Sequence, residues 1–206
     1  MKYIFVAGAP GSKWSSVVKN IYFSPSIDQS DYSDRRTYYH DASGTMDLMH
    51  LGAYYDPGME FGDFFDKLNQ HSKEECENEF NKPFFGTGVR IIKSHVFAHH
   101  IDFIKNTWPD CPIVLVHRAN DACLGWWVRC GHFNITYPSY DKYYKDLRTM
   151  GSIINHQNAD ILEAWSKYRG DMPIDNEDLA FTVKIKSPPT EYKQHYQKSD
   201  IRVKVI

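Results

Sequence analysis

Several features that would assign this chain to a particular class of protein are absent from its sequence. No apolar run approaches the roughly 20 residues that a transmembrane helix needs, and the run from Tyr3 to Ala7 is too short for a secretory signal. The formal net charge of -2 over 206 residues provides no global field for nucleic acid or an anionic membrane. We therefore expect a soluble, cytoplasmic protein that has neither nucleic acid nor membrane as a partner.

Cysteine is also scarce, with only four residues, at positions 76, 111, 123 and 130. No two of them have CxxC spacing, which disfavours a zinc knuckle or a thioredoxin-type redox motif. Scattered thiols of this kind are typical of a reducing cytoplasm. His95 and His99 are four residues apart and His100 and Cys111 lie nearby, but no third ligand has a recognisable spacing. We therefore expect no metal site.

The residues that are present suit one globular domain spanning residues 1–206. Hydrophobic residues make up 42% of the chain and charged residues 24%, which are ordinary values for a protein with a core. Three short apolar runs, each followed by a turn or a helical pattern, predict strands buried on both faces; they lie at 3–7, 89–92 and 113–116. Strands that alternate with helices predict an α/β fold with a mostly parallel central sheet flanked by helices.

The segments outside these runs are assigned more coarsely. Residues 23–60 are rich in loop-forming and aromatic residues, and we expect them to form loops at the acceptor side of the site. Helices are predicted at about 140–149 and 152–169. Apolar residues alternate with polar ones around Phe181–Ile185 and Ile201–Val205, which predicts two short strands; residues 187–206 are assigned as a C-terminal extension.

Three segments with phosphate-binding or catalytic residue types each follow one of the predicted strands: Gly8–Ser16, Lys93–His95 and Arg118. In parallel sheets, ligands bind at the carboxyl ends of the strands. In the first segment, glycines allow successive backbone amides to face an anion, and the following helix adds its positive end. The loop lacks the consecutive Gly-Lys-Ser/Thr of a Walker A motif, so an ordinary strand-to-helix turn remains the alternative.

Taken in order, the three segments resemble those of the sulfotransferase family that uses 3′-phosphoadenosine 5′-phosphosulfate (PAPS) as donor and releases 3′-phosphoadenosine 5′-phosphate (PAP). That family has a phosphosulfate loop containing Pro, Lys and Trp, a strand ending in Lys-Thr/Ser-His, and a strand ending in Arg before a helix with paired aromatics. The counterparts here are the loop Pro10–Trp14, the segment Lys93–His95, and Arg118 with Trp126-Trp127. The resemblance covers about two thirds of the chain and implies a three-layer, P-loop-like fold. It also implies transfer of a sulfuryl group from PAPS to a small-molecule acceptor, with PAP as the product and no metal.

The chain departs from the family pattern at several positions. Gly11 and Lys13 appear exchanged relative to the family loop, and Gly125 occupies the place of a serine that binds the 3′-phosphate. No Arg-Lys-Gly motif is found near the C-terminus. A small, divergent member is implied.

The resemblance and the residue chemistry together give each position a predicted role. His95 is the general base, and Lys13 with Lys93 stabilises charge on the leaving group. The donor is bound by Arg118, which holds the 3′-phosphate, and by the loop residues Pro10, Gly11, Ser12, Lys13, Trp14, Ser15 and Ser16. The acceptor pocket is assigned to His50, Tyr54, Tyr55 and Phe61.

Each role has a structural alternative. For His95, one of ten histidines, the alternative is a structural or surface residue. For Lys93 it is an exposed side chain at a strand end, and for Arg118 an ion pair beside a helix. For the tryptophans it is packing in the core. Two other functions also remain open, a P-loop small-molecule kinase or NTPase and a non-catalytic nucleotide-binding protein.

Overall fold

A computed structural model describes residues 1–31, 51, 53–129, 145–192 and 200–206 of the chain. The strands in this part are β1 (Tyr3–Gly8), β2 (Arg90–Lys93), β3 (Ile113–His117) and β4 (Arg202–Val205). They form one sheet in the order β2-β1-β3-β4. β1 pairs in parallel with both β2 and β3, and β4 is antiparallel to β3, so the sheet is mixed. The three apolar runs are thereby confirmed as strands.

Helices surround this sheet. The α-helices in the described residues are α1 (Trp14–Tyr22), α2 (Lys73–Asn81), α3 (Ile101–Thr107), α4 (Asn120–Arg129), α5 (Leu147–Lys167) and α6 (Asn176–Thr182). Shorter 3₁₀ helices occur at Phe65–Gln70, His95–His100 and Thr190–Tyr192. None of the helices found there combines the length and the apolar character needed to cross a membrane.

The central strand β1 is apolar throughout because both of its faces are covered. Ile4 and Val6 belong to one core cluster with residues of α1 and α6, whereas Tyr3 and Phe5 belong to a second cluster with residues of α2 and α3. Alternate side chains of a strand point to opposite faces of the sheet, so residues of the flanking helices cover both faces and all six residues of β1 are buried. The predicted α/β architecture, with helices flanking a central sheet, is confirmed at this level.

The C-terminal third differs from the prediction in two ways. The alternation around Phe181 and Val183 belongs to α6 and its C-terminus, and the predicted strand there is wrong. Asp175 begins this helix by accepting hydrogen bonds from two backbone amides, those of Glu177 and Asp178. The predicted break near residue 150 is also wrong, because α5 runs continuously from Leu147 to Lys167. The predicted strand around Ile201–Val205 is confirmed, since residues 202–205 form β4 at one edge of the sheet.

Candidate functional site

The carboxyl ends of three neighbouring parallel strands lie at one edge of the sheet. β1 lies between β2 and β3, with Val6 opposite Lys93 and Gly8 opposite Val116. Along the chain β1 is followed by β2, which pairs with one edge of β1, and then by β3, which pairs with its other edge. Such a reversal of strand order opens a crevice at the carboxyl ends of the strands. The three segments selected from the sequence therefore begin at this shared edge.

The loop after β1 has a tight backbone that only glycine permits at residue 11. Gly11 has φ 79°, and a β-carbon added there would lie 2.1 Å from the carbonyl oxygen of Cys123. The Ser12 amide donates to the carbonyl of Ala9 at 3.0 Å, which closes the turn. Lys13 follows in the left-handed region with φ 59°. The loop therefore packs directly against the backbone of α4.

The N-terminus of α1, at the end of this loop, has hydrogen-bond donors that are not paired within the described residues. Lys13 is its N-cap residue and provides no side-chain hydrogen bond to the helix. The amides of Trp14 and Ser15, in the first turn of α1, have no acceptor in the part of the chain that the structure describes. The Ser12 hydroxyl is buried and likewise lacks a partner within these residues. Unsatisfied donors at a helix N-terminus, where the helix dipole is positive, favour an anion.

The three tryptophans of the motifs have different environments. The Lys13 ammonium lies 4.4 Å from the centre of the Trp126 ring, within the range of a cation–π interaction. Trp14 is stacked on the His95 imidazole, with 4.0 Å between ring centres and 13° between planes. Trp127 is buried in the first core cluster. Trp14 and Trp126 therefore contact a titratable and a charged residue of the site, respectively.

His95 is held in one tautomer at the end of β2. Its Nδ1 lies within hydrogen-bond distance of the Gly8 carbonyl. Because a carbonyl only accepts hydrogen bonds, Nδ1 must carry the proton, and Nε2 of the neutral ring is left with its lone pair. The side chain is 4% exposed. Burial lowers its pKa, and the positive charge of Lys93 lowers it further, while the Asp56 charge and the Gly8 hydrogen bond oppose this shift. At neutral pH the ring is therefore an uncharged base.

Asp56, which sequence reasoning did not select, is a buried carboxylate beside His95. Its Oδ1 accepts hydrogen bonds from the Ser94 hydroxyl at 2.6 Å and from the His95 amide at 3.0 Å. Its Oδ2 accepts from the Tyr54 hydroxyl at 2.5 Å. In the sequence it appears only as a loop residue before Pro57-Gly58, and no local pattern links it to a strand end 38 residues away.

Lys93 is fully buried and is not the exposed lysine that a strand end suggests. Its ammonium donates a 2.7 Å hydrogen bond to the carbonyl of Leu51. It therefore anchors the chain near residue 51 to the end of β2, and its charge also acts on the His95 pKa.

Arg118 forms the helix-flanking ion pair that was the alternative to its predicted role. Its Nε donates to Asp200 at 2.7 Å, and its Nη1 donates to the Gly11 carbonyl at 3.0 Å. Burial alone would raise the pKa of the Asp200 carboxyl, but Arg118, with a smaller contribution from Lys13, holds that pKa below its ordinary value. Asp200, a second residue that the sequence did not indicate, thus lies within the electrostatic reach of both predicted phosphate-binding cations.

The predicted acceptor residues do not share one location. Tyr54 lies beside the base, with its ring edge-on to His95 and 5.4 Å between ring centres. Tyr55 and Phe61 belong to the second core cluster, where the Tyr55 hydroxyl donates to the Phe80 carbonyl. Burial raises the pKa of Tyr55 well above its usual value. His50 lies outside the described residues.

The histidines near His95 form a separate region. Residues 95–100 form a 3₁₀ helix, so positions four apart do not share a face. His99 is hydrogen-bonded to Asp160, and both line a cavity of about 290 Å³ together with Asp102 and Lys167. In the described segments no group of three or more metal-ligating side chains is found. The thiols of Cys76, Cys111 and Cys123 are free.

Comparison with known proteins adds no further assignment. A scan against family models finds no match, and searches of curated proteins and of solved structures find none either. The function is therefore inferred from the residues at the carboxyl edge of the sheet.

Proposed function

We propose that this chain is a PAPS-dependent sulfotransferase with a three-layer, P-loop-like fold, acting on a hydroxyl or amine of a small-molecule acceptor. One observation carries the proposal: a neutral imidazole with its lone pair on Nε2, and a helix N-terminus with donors unpaired among the described residues, follow two paired strands at the same edge. A base and an anion site side by side are what group transfer from an anionic donor requires.

The residues of the loop fit the phosphosulfate end of such a donor. The amides of Trp14 and Ser15 and the buried Ser12 hydroxyl are donors without acceptors among the described residues. Lys13 adds a full positive charge at the same helix end. Arg118 uses Nε and Nη1 for Asp200 and Gly11, and its Nη2 has no partner in the described chain. We assign Nη2 to the 3′-phosphate, in competition with the Asp200 carboxylate.

The reaction follows from these positions. PAPS supplies an activated sulfuryl group, and the acceptor oxygen or nitrogen forms a new bond to sulfur while the bond from sulfur to the bridging phosphate oxygen breaks. The acceptor proton moves to Nε2 of His95, since Nδ1 already carries one. Negative charge that develops on the bridging oxygen is stabilised by Lys13 and the first amides of α1. PAP is the second product.

Ligand binding tests the donor assignment. A ligand that binds only the folded chain raises its stability by about 2.7 kcal/mol at 100 times its Kd. We expect PAP to raise the Tm and Mg-ATP to leave it unchanged. The loop geometry alone would also serve a P-loop kinase, and the reverse result would support that function.

Turnover tests the enzymatic part of the proposal. His95→Asn suits this purpose because the Asn amide nitrogen can replace Nδ1 as the donor to Gly8, while no basic nitrogen remains. With labelled PAPS and a panel of acceptors, we expect sulfuryl transfer to fall by about 10²–10⁴-fold with PAP binding retained. His99→Asn, at the exposed hydrogen bond with Asp160, is the matched control. Binding of PAP without any transfer by the unmodified chain would instead identify a non-catalytic nucleotide-binding protein.

A further inference from the structure

The His95 ring is restrained from several directions at once. The Gly8 carbonyl fixes Nδ1, the Trp14 ring covers one face at 4.0 Å, and the Tyr54 ring is edge-on. The backbone of His95 is fixed by Asp56, which accepts a 3.0 Å hydrogen bond from its amide. Asp56 also binds the Tyr54 hydroxyl, so one carboxylate holds both the backbone of the base and an aromatic neighbour of its ring.

A carboxylate at this position has a high energetic cost that must be offset. Asp56 is 0% exposed, and a buried charge is tolerated only when it is well hydrogen-bonded. Here the donors come from two places in the chain: the Tyr54 hydroxyl on one side, and the Ser94 hydroxyl with the amides of His95 and Val96 on the other. The acid therefore joins the loop before it to the end of β2.

We propose that Asp56 is a positioning residue for His95, which orients the imidazole through the Ser94–His95 backbone and Tyr54. The catalytic consequence rests on the proposed function, whereas the effect on the ring does not. Asp56 touches neither reacting atom and acts only through His95.

The groups around His95 indicate how its pKa should change when the Asp56 charge is removed. Burial lowers the pKa of the ring, the negative charge of Asp56 and the Gly8 carbonyl raise it, and the buried Lys93 ammonium lowers it. Trp14 and Tyr54 are the neutral groups in contact with the ring. Removing the Asp56 charge removes one of the two contributions that raise the pKa of His95. The pKa therefore falls, because burial and the Lys93 charge still lower it.

The experiment compares Asp56→Asn with Asp28→Asn in the full chain. Asp28 is also buried and pairs with Arg90 and Ser30 at the other end of β2. Nitrogen–proton NMR correlations of the imidazoles, with the His95 signal assigned by its loss in His95→Asn, give the tautomer and titration directly. We expect an Nδ1–H tautomer in the unmodified chain and titration at lower pH in Asp56→Asn, with no change in Asp28→Asn.

Turnover is measured on the same proteins. We expect kcat of Asp56→Asn to fall by about 10–100-fold, as for lost outer-shell partners of functional histidines, with KM for PAPS unchanged and the acidic limb of the pH profile moved to lower pH. Titration of His95 that does not change in Asp56→Asn would overturn the inference. If the His95 titration moves in Asp56→Asn but the unmodified chain shows no sulfuryl transfer, the proposed function is refuted. The positioning role of Asp56 then still holds.

A second variant covers the case in which Asp56→Asn does not fold. Ser94→Ala removes the 2.6 Å hydrogen bond to Asp56 and keeps the charge. We expect a lower kcat and a broadened His95 ring signal with an unchanged titration. An unchanged kcat and an unchanged signal would contradict positioning through Ser94.

Discussion

The two halves of the candidate site satisfy their polar groups in opposite ways. In the base half, formed by Tyr54, Asp56, Ser94 and His95, hydrogen bonds within the chain join the carboxylate to all three of its neighbours. In the anion half, formed by residues 11–15 and Arg118, a buried hydroxyl and two helix amides lack partners in the described chain. Folded proteins satisfy nearly all buried polar groups, so the anion half marks where ligand charge is expected, and the base half is already organised.

The largest effect is expected from filling the tight turn of the anion half. Gly11→Ala forces a β-carbon against the Cys123 carbonyl at φ 79°, and we expect the free energy of unfolding to fall by about 2–5 kcal/mol. Gly125→Ala is the matched control, since a β-carbon there meets nothing within 4 Å. This control should raise stability by about 0.5–1 kcal/mol, as glycine is unfavourable within a helix. Urea unfolding measures the free energy of unfolding of both variants. Equal changes in the two would contradict the close packing of the loop on α4.

The next largest effect is expected on the affinity for the anionic ligand. Lys13→Met removes the ammonium at the N-terminus of α1, and we expect PAP to bind about 10–100-fold more weakly, as for a lost charged hydrogen bond, with a smaller dependence on salt. Lys19→Met, in the last turn of the same helix, is the control. Calorimetric titration at two salt concentrations measures both quantities. Equal losses in the two variants would show that Lys13 has no special contact with the ligand.

Acidification tests whether the base half is held neutral. Burial lowers the pKa of His95, and it does the same for His100 and His117. The unfolded chain therefore takes up protons at these side chains, near pH 6.5, before the folded chain does. We expect stability to be full above this pH and to decline below it, with a slope of at most about 1.4 kcal/mol per pH unit for each histidine. Urea unfolding between pH 7.5 and 5 measures the slope, and His95→Asn should reduce it; a flat profile would contradict neutral burial.

The smallest effect expected is a gain of affinity at the edge of the anion half. Gly125→Ser introduces a hydroxyl on the exposed side of α4, where the resemblance places a ligand of the 3′-phosphate and where open space is found. We expect PAP to bind about three- to tenfold more tightly, the value of one hydrogen bond, and adenosine 5′-phosphate to bind as before. Gly151→Ser on α5 provides the comparison. A gain that is equal for both nucleotides would argue against a 3′-phosphate near Gly125.

The sheet was more predictable than the C-terminal helices. Strands covered on both faces require continuous apolar runs, so β1, β2 and β3 could be identified from composition alone. The alternation at Phe181 and Val183 does not mark a strand, because the Asp175 carboxylate caps the N-terminus of a helix that begins at Asn176. Phe181 is 83% exposed, so its apolar character carries no information about the core.

The site was predictable only where a residue follows its own strand. Gly11, Lys13, His95 and Arg118 are placed by β1, β2 and β3, and the order of strands brings them to one edge. Asp56 and Asp200 come from segments 38 and 82 residues away from the groups they bind. Neither has a local pattern, because their partners are set by how the loops fold over the edge of the sheet.

The bond between Gly8 and His95 makes the end of the first strand part of the acid–base chemistry. By accepting the hydrogen bond from the single N–H of the neutral imidazole, this carbonyl leaves the lone pair of the ring on Nε2. A flip of the peptide that follows Gly8 would present an N–H to Nδ1 instead, so Nε2 would carry the proton and the ring would change from a base to an acid without any change of side chain.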